Sequence, residues 1–234
     1  MIILIGGEKG GTGKTTIATN LASAFKHNNR DVLLVDTDKQ GSASFWCATR
    51  DELVKNFKQD PAKYNKVIDQ DIIALNRIPN IQKFGDSITN EINELKTKYQ
   101  DIIIDAGGRD SIELRAAITV CDFLYIPVQA SQFDIWTLGV IDNLVTQGKI
   151  YNKKIKASVL FNRGSTNPGV NEVIESSAAI NNDFENLSLC KSIFKDRIIY
   201  RKAAKNGLSI DELANQDVKA NTELNNFYNE VINA

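Results

Sequence analysis

Histidine is nearly absent: among 234 residues, His27 stands alone. A Ser-His-Asp triad would have to use it, and nothing in the sequence sets it beside a nucleophile. Cysteine is scarce too. Cys47, Cys121 and Cys190 lie far apart with no CxxC pair. That excludes a disulfide framework, a zinc site and an iron–sulfur cluster, and it predicts reduced thiols in a cytoplasmic protein. No apolar run approaches the roughly 18 residues that a membrane-spanning helix needs. The opening Met1-Ile2-Ile3-Leu4-Ile5 has the length of a strand, not of a signal peptide. Net basicity is also missing, since 28 Lys and Arg stand against 29 Asp and Glu for a net charge of −1. A globally basic nucleic-acid binder is thereby excluded; a local basic patch is not.

What is present is an ordinary globular composition, 42% hydrophobic and 24% charged. Apolar runs at 2–6, 32–36, 102–105, 123–128 and 157–161 read as strands buried on both faces. Helical spacing is predicted between and after them, over 14–27, 85–98, 131–147 and 217–232. The alternation implies βαβ units: an α/β fold with a doubly wound, mostly parallel sheet flanked by helices. The stretch 51–70 is more polar and has no clear period. No repeat or low-complexity linker divides the chain, so a single domain over 1–234 is expected.

The run Lys9-Gly10-Gly11-Thr12-Gly13-Lys14-Thr15-Thr16 follows a predicted strand and opens a predicted helix. This is the setting of a phosphate loop, and with it of a P-loop NTPase fold. Glycines let backbone N–H groups turn toward phosphates, and the helix N-terminus adds partial positive charge. Lys14 would reach the β- and γ-phosphates, and the Thr15 hydroxyl would bind Mg²⁺. The strict GxxxxGK[ST] pattern fails by one residue, because its first glycine is here Glu8.

Two carboxylates, Asp36 and Asp38, follow the second strand, where ligands bind in open α/β sheets. Asp105 ends the run Ile102-Ile103-Ile104 in the form of a Walker B aspartate that holds Mg²⁺ through water. Gly107 and Gly108 suit a switch loop that brings backbone N–H groups to a γ-phosphate, and Arg109 beside them is unexpected. Residues 191–205 carry Lys191, Lys195, Arg197, Arg201, Lys202 and Lys205 against one acid, Asp196. The next segment is acidic, so a near-zero total hides opposed blocks. Arg201, Lys202 and Lys205 fall at helical spacing and could share a face that holds phosphate backbone without reading sequence.

KGGTGKTT resembles the deviant Walker A motif of the ParA/MinD family of dimeric ATPases. The AGG form after Asp105, with Phe45-Trp46, is most similar to the short plasmid-partition ATPases related to ParF. Their usual DxDPQG is departed from here, with Lys39 in place of proline. The resemblance implies an ATP- and Mg²⁺-dependent switch. Lys9 would reach the partner's phosphates across a homodimer closed on ATP. Asp38 would orient the attacking water, and Asp36 would support the Mg²⁺ shell. Asn162 would contact the adenine. The basic stretch with Arg197, Arg201, Lys202 and Lys205 would bind DNA non-specifically. A small centromere-binding partner of ParB or ParG type would stimulate hydrolysis, in a cytoplasmic, nucleoid-associated protein that segregates a plasmid or other mobile element. A MinD-like division-site ATPase is an alternative, but the last predicted helix, ending near Ile232, lacks the Lys and Arg that attract anionic lipid. A metabolic or redox relative is another. It too is disfavoured, because Cys121 lies in an apolar setting with no second cysteine near it. With a strand starting at residue 2, no N-terminal DNA-reading domain is expected.

Overall fold

The apolar runs do form strands. The computed structural model describes residues 1–69, 71–72, 75–167 and 172–234. Among these, one sheet runs in the order β3-β2-β4-β1-β5-β6-β7, with every pair parallel. The strands are β1 (Ile2–Gly7), β2 (Val32–Asp36), β3 (Asn80–Gln82), β4 (Asp101–Gly108), β5 (Phe123–Val128), β6 (Lys156–Gly164) and β7 (Leu187–Lys195). The helices are α1 (Lys14–His27), α2 (Ser42–Gln59), α3 (Ile88–Leu95), α4 (Ile112–Ile118), α5 (Gln132–Gly148), α6 (Glu172–Asp183), α7 (Ile198–Lys205) and α8 (Val218–Ile232).

Alternation along each strand feeds two cores. Ile3, Ile5, Leu34 and Ile103 point to one face and pack with α1, α2, α7 and α8. Leu4, Leu33, Val35 and Ile104 point to the other and pack with α3, α4, α5 and α6. This is the predicted doubly wound arrangement.

The polar stretch 51–70 begins as the second half of α2 and continues into a 3₁₀ turn at Pro61–Tyr64. The basic block is not one helix: Lys191 and Lys195 lie on β7, and Arg201, Lys202 and Lys205 lie on α7. β7 is an edge strand, and the N–H groups of Lys191 and Ser192 donate to Glu230 of α8 at 2.7 and 2.9 Å, that of Lys195 to Glu223 at 3.1 Å. A buried ionic knot ties the α1/α2 face to the segment before α8. Arg50, 1% exposed, donates to Glu212, 0% exposed, and to the Asn76 and Gly207 carbonyls. His27 sits between Asp211 and Glu212 at 2.8 and 2.9 Å.

Register positions the site. Asp105 lies beside Ile5 on one side and Asp36 on the other, so it sits at the carboxyl edge of the sheet, where β2 ends and near the carboxyl ends of β1 and β4.

Candidate nucleotide site

A cleft of about 1100 Å³ opens at that edge, lined among others by Lys14, Thr15, Asp38, Gly108 and Arg109. The loop from Lys9 to Gly13 forms its floor. Gly11 and Gly13 have φ of +77° and +92°, which a β-carbon disfavours. Gly13 also faces the Asn162 amide so closely that a β-carbon would collide with it. Gly13 is the N-cap of α1, and no side chain caps that helix, so its first N–H groups are free to take an anion. The Lys14 ammonium donates to the Lys9 carbonyl at 2.7 Å. Burial lowers its pKa, against the opposing pull of Asp105, Asp38 and Glu8.

Behind the loop, the Thr15 hydroxyl donates to Asp105 Oδ2 at 2.7 Å. Asp105 Oδ1 is buried and has no hydrogen-bond partner among the described residues. Burial pushes the Asp105 carboxyl up to about 7; the Thr15 bond opposes that, and the nearby Asp36 charge adds to it. A buried, half-satisfied carboxylate beside a threonine hydroxyl is a set of hard oxygen donors, which suits Mg²⁺.

The two acids after β2 take different places. Both Asp36 oxygens are occupied: Oδ1 accepts from the Asp38 N–H at 3.1 Å, and Oδ2 from the Ser44 N–H and hydroxyl at 2.9 and 2.8 Å. Asp36 therefore anchors the first turn of α2, with both carboxylate oxygens engaged there. Asp38 does line the cleft, and its carboxyl lies 3.3 Å from where a β-carbon on Gly107 would stand. Gly108 rests on the phosphate loop itself, where a β-carbon would meet the Gly10 nitrogen at 2.8 Å.

Other expected residues turn out to hold local structure. Lys9 pairs with buried Asp134 of its own chain at 2.7 Å. Asn162 is buried and donates to the Thr12 carbonyl at 2.6 Å, pinning the phosphate loop to β6. It also lines a small cavity of about 130 Å³ with Thr16, Tyr200 and Arg201. Arg197 is held by Glu223 at 2.7 Å and lies 3.7 Å from Asp217. Arg201, Lys202 and Lys205 are exposed on α7.

Sequence reading missed Ser44, Asp134 and Arg163. Asp134 had a legible signal: Ser131 caps α5 by accepting from the Asp134 N–H, the S-x-x-D pattern of a capped helix start. Arg163 lines the cleft with φ of +55°, and nothing in its neighbours announces that.

Residues 1–167 match the family described as ATPase MipZ. Maintenance of carboxysome distribution protein A of Halothiobacillus neapolitanus is 24% identical over 96% of this chain and 93% of its own. The apo McdA structure from Cyanothece superposes with a TM-score of 0.73 at 19% identity, covering 98% of both chains. A putative plasmid partition protein of Borrelia burgdorferi bound to AMPPNP gives 0.68 at 19% identity, covering 99% of this chain and 98% of that one. The chain belongs to the MipZ and ParA family of ATPases.

Proposed function

We propose that this protein is a Mg²⁺-dependent ATPase that dimerises on ATP, binds DNA non-specifically in that state and is released by hydrolysis, in service of partitioning a plasmid or other mobile element. The observation that carries the reading is the Lys14, Thr15 and Asp105 constellation at the uncapped start of α1, with Asp38 across the cleft.

The loop N–H groups and Lys14 would hold the phosphates, and Thr15 with Asp105 would hold Mg²⁺, which supplies charge neutralisation on the phosphate oxygens. Asp38 would orient the attacking water, and Asp36 would keep α2 and that loop in place. The base would lie in the small cavity beside Asn162 and Thr16. Dimerisation is supported by exposed Phe45, Ile112, Phe133 and Trp136 near the starts of α2, α4 and α5, where Ser42, Ser111 and Thr137 line the cleft. Lys9 would exchange Asp134 for the partner's phosphates as the dimer closes. DNA binding is supported by the exposed cations of α7. A nucleoid-associated, cytoplasmic location and a small centromere-binding activator follow from the same reading. No helix among the described residues is long and apolar enough to cross a membrane.

The test is Lys14→Ala. Nucleotide binding should be lost, measured by titration calorimetry with ADP and with AMPPNP. Unchanged affinity would remove the phosphate-site assignment.

A further inference from the structure

We propose that Arg109 reads the terminal phosphate of a bound nucleoside triphosphate in its own subunit, so that it separates ATP from ADP; this rests on the phosphate-site reading above.

Four observations converge on it. Arg109 lines the same cleft as Lys14, Thr15 and Asp38. It follows Gly108, which lies against Gly10, so its loop is seated on the phosphate loop of the same chain. On the other side the loop is fixed by Ser111, which caps α4 by accepting from the Leu114 N–H at 3.1 Å. The guanidinium is uncommitted, with no hydrogen-bond or ion partner among the described residues. The adjacent carboxylate does not neutralise it, because Asp110 turns back to Arg115, 2.6 Å from Nε.

The fourth observation is backbone cost. Arg109 holds φ at +124°, a conformation that glycine takes freely and a residue with a β-carbon resists. Two glycines precede it, and a third would relieve the strain. An arginine kept there trades backbone ease for a planar, permanently charged fork over the cleft. The diphosphate is already served by the α1 N–H groups and Lys14. The third phosphate would extend away from α1 toward Asp38, Gly107 and Gly108, where Arg109 is the nearby cation on the switch loop. A charge-assisted, bidentate contact of this kind acts on the triphosphate alone.

The experiment compares ADP and AMPPNP affinities, with Mg²⁺ present, for the wild type, Arg109→Ala, Arg109→Gly and Arg109→Lys. AMPPNP affinity should fall about tenfold or more in the alanine and glycine variants, and less in the lysine variant. ADP affinity should stay within about twofold. Arg109→Gly should melt no lower than the wild type, because glycine accepts the observed φ; this separates lost recognition from lost folding. An unchanged AMPPNP-to-ADP ratio overturns the proposal, and so does an equal loss for both nucleotides. Failure of the wild type to bind ADP at all would instead overturn the phosphate-site reading.

Discussion

Asp38, just past β2, and Asp105, inside neighbouring β4, are in opposite states. Asp105 is sealed behind Thr15, with one oxygen bonded and the other empty. Asp38 lines the cleft, and its carboxylate accepts only the Gln40 N–H, at 2.9 Å, among the described residues. A carboxylate that orients water must reach solvent and keep a free lone pair, and Asp38 meets both needs. Asp38→Ala should therefore leave AMPPNP binding and dimerisation intact while turnover falls about a hundredfold or more, read by phosphate release alongside size-exclusion chromatography. Normal turnover would mean that another group orients the water.

At the scale of elements, α7 divides its cations by partner. Arg197 at the helix start is held by Glu223 and lies near Asp217, whereas Arg201, Lys202 and Lys205 reach solvent. Arg201→Glu with Lys202→Glu should weaken DNA binding and make its salt dependence shallower, by about one unit of log–log slope per lost phosphate contact. Arg197→Ala should chiefly lower the melting temperature. Intact DNA affinity in the double variant would move the DNA surface elsewhere. This division was not legible in the sequence, where the six cations look alike. What sets Arg197 apart is Glu223, 26 residues away in the chain and brought in by α8. Buried parallel strands such as Val32–Asp36 were legible because both faces must be apolar. β3 was not, since it is three residues, Asn80–Gln82, at a sheet edge. β7 was not, since its burial keeps no regular period, with Leu187, Cys190, Ser192 and Phe194 buried among partly and fully exposed residues. The phosphate loop declared itself through local glycines and Lys14. The Asp36–Ser44 bonds and the Lys9–Asp134 ion pair did not, because each needs residues that are not neighbours in the chain already brought together.

For the whole molecule, the ionic knot of Arg50, Glu212 and His27 makes stability depend on pH in two directions. Burial alone would raise the Glu212 pKa, but Arg50 overrides it and holds the carboxyl at about 2, below its ordinary 4.5. That contribution is present above pH 4.5 and is lost as pH falls toward 2. Burial alone would lower the His27 pKa, but bonds to Asp211 and Glu212 lift it from 6.5 to about 10. That contribution is complete below pH 6.5 and is lost as pH rises toward 10. Urea midpoints should thus decline on both flanks. His27→Gln should flatten the alkaline limb, and Arg50→Ala should cost about 3–5 kcal/mol by stranding the Glu212 charge. A His27→Gln profile identical to the wild type would refute the assignment. The edge of the sheet sets a different limit. The β7 N–H groups of Lys191, Ser192 and Lys195 are taken by Glu230 and Glu223, and the opposite edge, β3, is very short. Strand addition, the common route to unregulated aggregation, is thus obstructed at both ends. Copies of this chain are left to meet through their helical and loop surfaces, which is where the proposed ATP-gated contact lies.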